Sequence, residues 1–239
     1  MTERVVVITG GNRGLGRELA RQCAADGDTV LLGSRDRAGG ERVAAEITAE
    51  LNTGAPAGRV LPVRLDVTDR AGLAELAGRV DDEFGRLHVL VNNAAIHYDT
   101  WQASTNADLT VVREALETNL VGAWQTTLAL LPLLRRAGRA ARIVMVSSEG
   151  GSLASMGGGL PAYHVSKAAL NALTLTMAGD LRREGILVNA VCPGWTATDM
   201  GGPGGRPVSD GAASIRYAMD LPDGGPTGTF TRDGRPVPW

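Results

Sequence analysis

The sequence predicts an α/β fold, a doubly wound parallel sheet of about seven strands with helices on both faces. Short β-branched apolar runs recur along the chain, helix-length amphipathic stretches separate them, and a glycine-rich turn follows the first run. Near-continuous apolar strands belong to a parallel sheet that is covered on both sides. Strict alternation of strand and helix then makes each connection a right-handed crossover.

The first strand is expected at residues 5–9, followed by the glycine turn and a helix over 15–25. A second strand over 29–33 leads to a helix over 40–51, and a third over 60–66 to a helix over 73–84. The fourth strand, 89–92, precedes a long helical stretch over 109–134. A fifth strand over 142–147 and a helix over 162–183 follow, then a sixth strand over 187–191 and a weaker seventh over 228–231. Residues 201–211 (GGPGGRPVSDG) have almost no apolar content and read as a mobile loop. That loop would lie beyond the carboxyl end of a strand, where open α/β sheets bind ligands. No repeat, charge block or proline-rich linker divides residues 1–239, so one domain is expected.

Composition narrows the function classes. With 44% hydrophobic and 21% charged residues and a net charge of −2, the chain is neither a disordered segment nor a nucleic-acid-coating surface. Cys23 and Cys192 stand far apart with no CxxC or Cys/His cluster, which argues against a disulfide framework or a metal site and for a reducing cytoplasm. The apolar run at the start is too short for a signal peptide core or a membrane span, so no membrane association is expected.

The turn Thr9-Gly10-Gly11-Asn12-Arg13-Gly14-Leu15-Gly16 joins a strand to a helix. Glycine there permits a tight turn, close approach of a pyrophosphate and helix-to-sheet packing, while the helix start offers free N–H groups. Farther on, Tyr163 and Lys167 stand four apart and so share one helix face. A fixed ammonium beside a phenol is expected to lower its pKa toward working pH. Lys167 is the only lysine among 24 cationic residues, at the one place where a compact ammonium is chemically useful. Ser147 and Ser148 close an apolar strand and deliver a hydroxyl to the same rim of strand ends.

The glycine spacing, TGxxxGxG, resembles that of the short-chain dehydrogenase/reductase family, a single-domain Rossmann fold. The resemblance extends over nearly the whole chain, and the strings TGGNRGLG, CPGW, TDMGGP and DGRPVPW look most like its carbonyl reductase-like branch. It implies a catalytic quartet of Asn119, Ser148, Tyr163 and Lys167, with Ser147 as the fallback serine. It also implies a cofactor cleft formed by Gly10, Asn12, Arg13, Gly14, Leu15 and Gly16, by Asp66 and Val67, and by Asn93, Ala94 and Ala95. Pro193, Gly194, Trp195 and Thr198 complete it beside Tyr163 and Lys167. Ala95 departs from the family's NNAG.

Where an NAD site of this type carries an acid, this chain has Ser34 and then Arg35. With Arg13, two guanidinium forks suit a 2′-phosphate, so NADP(H) is expected, with Asp36 as the residue that could favour NAD instead. The implied reaction is reduction of a ketone or aldehyde, a bulky natural-product ketone or quinone among the candidates, with Tyr163 as proton donor and no metal. His97, Tyr98, Trp101, Leu153, Met156, Trp195 and Met200 are the candidate substrate contacts. Imine reduction, epimerisation, dehydration and a non-catalytic NADP(H)-sensing role stay open on the same residues. The helices over 109–134 and 162–183 could form a homodimer or homotetramer interface, although the branch includes monomers.

Overall fold

A computed structural model describes residues 4–52 and 57–239. Strand β1 (Val5–Ile8) is wholly buried and lies inside an eight-stranded sheet of order β3-β2-β1-β4-β5-β6-β7-β8. The flanking strands are β2 (Thr29–Ser34), β3 (Arg59–Arg64), β4 (Val89–Asn92), β5 (Arg142–Val146), β6 (Leu187–Val191), β7 (Phe230–Arg232) and β8 (Arg235–Pro236). The first seven run parallel and β8 pairs antiparallel with β7. From β1 the chain winds outward to β2 and β3, then returns to place β4 on the other side of β1. The crevice at that reversal, outside the carboxyl ends of β1 and β4, is where a doubly wound sheet holds a ligand.

Strand side chains alternate between two cores. Val6 and Ile8 meet Leu19 and Ala20 of α1 (Gly14–Ala25), Val43 and Ile47 of α2 (Arg37–Leu51), and Ile215 of α7 (Val208–Met219). Val5 and Val7 face α3 (Arg70–Phe84), α5 (Ala123–Ala137) and α6 (Pro161–Leu181) through Leu73, Leu130 and Leu170. Among the described residues no helix is long and apolar enough to cross a membrane.

Three departures from the sequence reading have physical causes. The long helix over 109–134 is α4 (Leu109–Leu116), a π-helical turn over Glu117–Gly122, and α5. The segment over 201–211 is not all loop, because α7 begins at Val208. Its Gly211 lies where a Cβ would stand 2.7 Å from Leu15 Cδ2 and 2.8 Å from Thr196 Oγ1, so a residue that reads as loop marks a close contact with α1. The eighth strand follows a two-residue turn at Asp233 and Gly234, with φ of 52° and 73°, the Asp-Gly hairpin signal.

Candidate active site

The glycine turn leaves no room for side chains. Gly10 and Gly14 have φ of 65° and 51°, and a Cβ on Gly16 would stand 2.3 Å from the Gly10 carbonyl oxygen. Helix α1 starts without a side-chain cap and without an acid in its first turn, so its positive end is free to meet an anion. Asn93 Nδ2 donates to the carbonyls of Thr9 and Gly10 at 2.9 and 3.1 Å, tying the end of β4 to this turn.

A cleft of about 330 Å³ runs from the turn across the strand ends. One end is formed by Ser34, Arg35 and Asp36, the floor by Val67, Asn93, Ala94 and Ala95, and the far end by Tyr163, Lys167, Pro193 and Thr198. Gly10, Asn12, Arg13, Gly14, Leu15 and Gly16 line its centre. A glycine cradle that a Cβ would fill, opening on an uncapped helix start in a cleft across the strand ends, fits a dinucleotide.

Three predicted cofactor residues lie outside the lining. Asp66 instead accepts from the backbone and hydroxyl of Thr68; burial pushes its carboxyl up, but those bonds with the charges of Arg35 and Arg64 hold it below its ordinary range. Gly194 forms a left-handed bend, and Trp195, 62% exposed, donates through Nε1 to the Gly201 carbonyl at 2.6 Å. Sequence reasoning missed Leu65, Ile96, Thr118, Val146 and Asp199 in the lining, most of them neighbours of predicted positions.

At the far end, Lys167 Nζ donates to the Val146 carbonyl at 2.8 Å and stands 5.6 Å from the centre of the Tyr163 ring. The two serines differ in place and in partners: Ser147, the fallback, is among the residues that line the cleft, and Ser148 is not. Ser147 Oγ donates to Asn171 Oδ1 at 2.6 Å, and Asn171 Nδ2 in turn donates to the Gly151 carbonyl, which locks Ser147 into the α6 packing. Ser148 Oγ accepts the Gly150 N–H at 3.1 Å and hydrogen-bonds with the Tyr163 hydroxyl. Asn119, swung inward by the π turn, accepts from Ile96 N at 2.8 Å and donates to Ile96 O and Ser166 Oγ at 3.1 and 3.0 Å. It thus joins the loop after β4 to α6.

Burial dominates the electrostatics. Desolvation pushes the Tyr163 phenol well above its ordinary value, against the opposing bond from Ser148, and pulls the Lys167 ammonium down to about 8. The expected lowering of the phenol by its lysine neighbour is therefore not what the enclosed site produces. Both groups are pushed toward their neutral forms.

Of the candidate substrate contacts, Met200 lines the cleft. His97, at a φ of 58°, instead shares a hydrogen bond of 2.7 Å with Glu114 on α4. Trp101 and Leu153 are 66% and 76% exposed on the loops after β4 and β5, and Met156 is half-buried. Across the cleft, Arg13 Nη1 pairs with Asp199 Oδ2 at 3.2 Å, linking the glycine turn to the loop after β6.

The short chain dehydrogenase family model matches residues 4–206. Short-chain dehydrogenase/reductase 1 of Saponaria officinalis is 33% identical over 95% of this chain and 93% of its own. The NADPH-bound carbonyl reductase from chicken fatty liver superposes with a TM-score of 0.86 at 28% identity, over the full length of both chains. The carbonyl reductase Sniffer of D. melanogaster gives 0.84 at 28% identity, over 99% of this chain and 100% of that one. With the glycine cradle, Tyr163 and Lys167 all lining one cleft, these likenesses assign the chain to the short-chain dehydrogenase/reductase family of oxidoreductases.

Proposed function

We propose that the protein is an NADP(H)-dependent carbonyl reductase acting on bulky apolar ketones, aldehydes or quinones. The observation that carries the reading is that Tyr163 and Lys167, with Nζ 5.6 Å from the centre of the phenol ring, line the same cleft as the glycine turn. A phenol kept protonated is suited to give its proton to an alkoxide as carbonyl reduction proceeds. Ser148 donates a hydrogen bond to the same oxygen and stabilises its developing charge. Lys167, held by the Val146 carbonyl, orients the cofactor ribose and the phenol, and Asn119 braces the loop and helix around them. The reduced nicotinamide, when bound, supplies the hydride.

The preference for NADP(H) rests on Arg35 and Arg13 at the cleft. Asp36, the candidate for an NAD-type contact, folds its carboxylate over Gly39 in the first turn of α2, where a Cβ would stand 2.4 Å from Oδ2. The Arg13 pair with Asp199 is exposed and so readily exchanged for a phosphate. The NADPH-bound avian relative supports the same choice. Exposed Trp101, Leu153 and Trp195 on the loops around the cleft favour flat or bulky apolar substrates. Two buried free thiols suit a reducing cytoplasm. Exposed Trp124 and Leu128 on α5 and Val165 and Leu175 on α6 form the apolar surface through which we infer self-association.

The test is NADPH oxidation against ketones, quinones and aldehydes, with NADH beside it. Tyr163→Phe is expected to lose turnover while NADPH binding, followed by fluorescence, is retained. A variant that keeps most of its activity overturns the assignment of the proton donor.

A further inference from the structure

Helix α6 opens in a way that leaves two amides without a helical acceptor. Its first residue, Pro161, has no N–H, and Leu160 before it adopts a left-handed conformation (φ 51°, ψ 43°) with no side-chain cap. The first bond within the helix runs from His164 N to Leu160 O at 2.8 Å. The N–H groups of Ala162 and Tyr163 fall between these, and leaving such groups unmade in a protein interior is costly. Both are taken by one residue from the loop after β4, more than sixty positions earlier. Asp99 Oδ2 accepts from Ala162 N at 2.9 Å and Oδ1 from Tyr163 N at 3.0 Å.

Asp99 is fully buried. Its third bond comes from Gln102 Nε2 at 2.8 Å, and Gln102 Oε1 in turn accepts from Asp108 N, the residue that caps α4. Burial pushes the Asp99 carboxyl up, but the bonds from Gln102, Ala162 and Tyr163 outweigh it and hold the group ionised against the positive end of α6. The adjacent Tyr98 meets the Tyr163 ring edge-on, with centroids 5.1 Å apart and planes at 81°. The same two loop residues therefore grip Tyr163 by its backbone and by its ring.

We propose that Asp99 is a positioning residue for Tyr163, setting the place of the phenol through the first turn of α6; this rests on the reading of Tyr163 as proton donor. An asparagine at this position offers one acceptor and one donor, so it must set an N–H against the amide of Ala162 or Tyr163. Asp69 caps α3 through Ala71 and Gly72, on an element that carries no residue of the catalytic quartet, and provides a control for capping alone.

The experiment compares wild type, Asp99→Asn, Gln102→Ala and Asp69→Asn as full chains. For Asp99→Asn, kcat is expected to fall about 10- to 100-fold, as for a misplacement on the order of an ångström, while the NADPH dissociation constant changes less than about twofold. Hydrogen exchange is expected to quicken over residues 161–165 and stay unchanged in the carboxyl half of α6. Gln102→Ala, which leaves the Asp99 carboxylate and its two amide partners in the sequence and removes the bond from Gln102, is expected to give a smaller loss of kcat in the same direction. Asp69→Asn should lower the melting temperature without lowering kcat. Asp99→Asn behaving like Asp69→Asn, or exchange over 161–165 identical to wild type, overturns the proposal. If Asp99→Asn does not fold, an unchanged kcat in Gln102→Ala overturns it. A wild type inactive on all carbonyls, yet with the exchange response present, retains the anchoring of Tyr163 and rejects the reading of the site instead.

Discussion

Lys167 illustrates how one side chain ties stability to chemistry. Its folded value of about 8 lies below the ordinary 10.5, so between these the unfolded chain holds a proton that the folded chain has released. Stability then rises with pH across that window. Cys23, which burial lifts from 9.0 to about 12, slopes the other way above pH 9, so the lysine contribution is isolated as a difference. Unfolding of wild type and Lys167→Met is therefore to be followed from pH 8 to 10 by denaturant titration. Wild type is expected to gain on the variant as pH rises, by a total on the order of 2–3 kcal/mol. A difference that stays flat would mean that the ammonium titrates as in water. The serines teach a separate lesson: two adjacent hydroxyls are equivalent as sequence, and only the Asn171 bond to Ser147 and the Tyr163 bond to Ser148 distinguish them.

Among the elements, the π turn over Glu117–Gly122 decides where Asn119 points. An extra residue in a helical turn reorients the side chains that follow, and such turns concentrate at functional sites. The apolar periodicity of α4 and α5 reads as one helix because the π turn interrupts hydrogen bonding without interrupting apolar content. Across the outward side of α5, Trp124 and Leu128 stand one turn apart and are 45% and 56% exposed. If this surface carries self-association, Trp124→Glu with Leu128→Glu is expected to leave a monomer in sedimentation velocity, with its melting temperature little changed. An unaltered sedimentation coefficient would move the interface elsewhere or show the wild type to be monomeric. Helix α7 was hidden in the sequence for the opposite reason: the glycine that suggests a loop is required by its contact with α1.

Taken together, the sheet brings the glycine turn of β1 and the loop after β6 to one cleft, where Arg13 meets Asp199. If Arg13 serves the 2′-phosphate, Arg13→Ala is expected to weaken NADPH binding about tenfold, a typical loss for one charge-assisted contact, and leave NADH binding nearly unchanged. Equal losses for both cofactors in a titration would assign Arg13 to the loop alone. The alternation of apolar strands and amphipathic helices, the glycine turn and the Tyr163 and Lys167 spacing were all legible in the sequence, because each is written in local periodicity or fixed short spacing. What only the tertiary structure decided were contacts between distant segments: the different partners of the two serines, the desolvation that pushes the Tyr163 phenol up, and the reach of Asp99 to the start of α6. Local sequence determines which surfaces are apolar and which turns are possible, whereas desolvation and hydrogen bonding between remote residues exist only once the chain has folded.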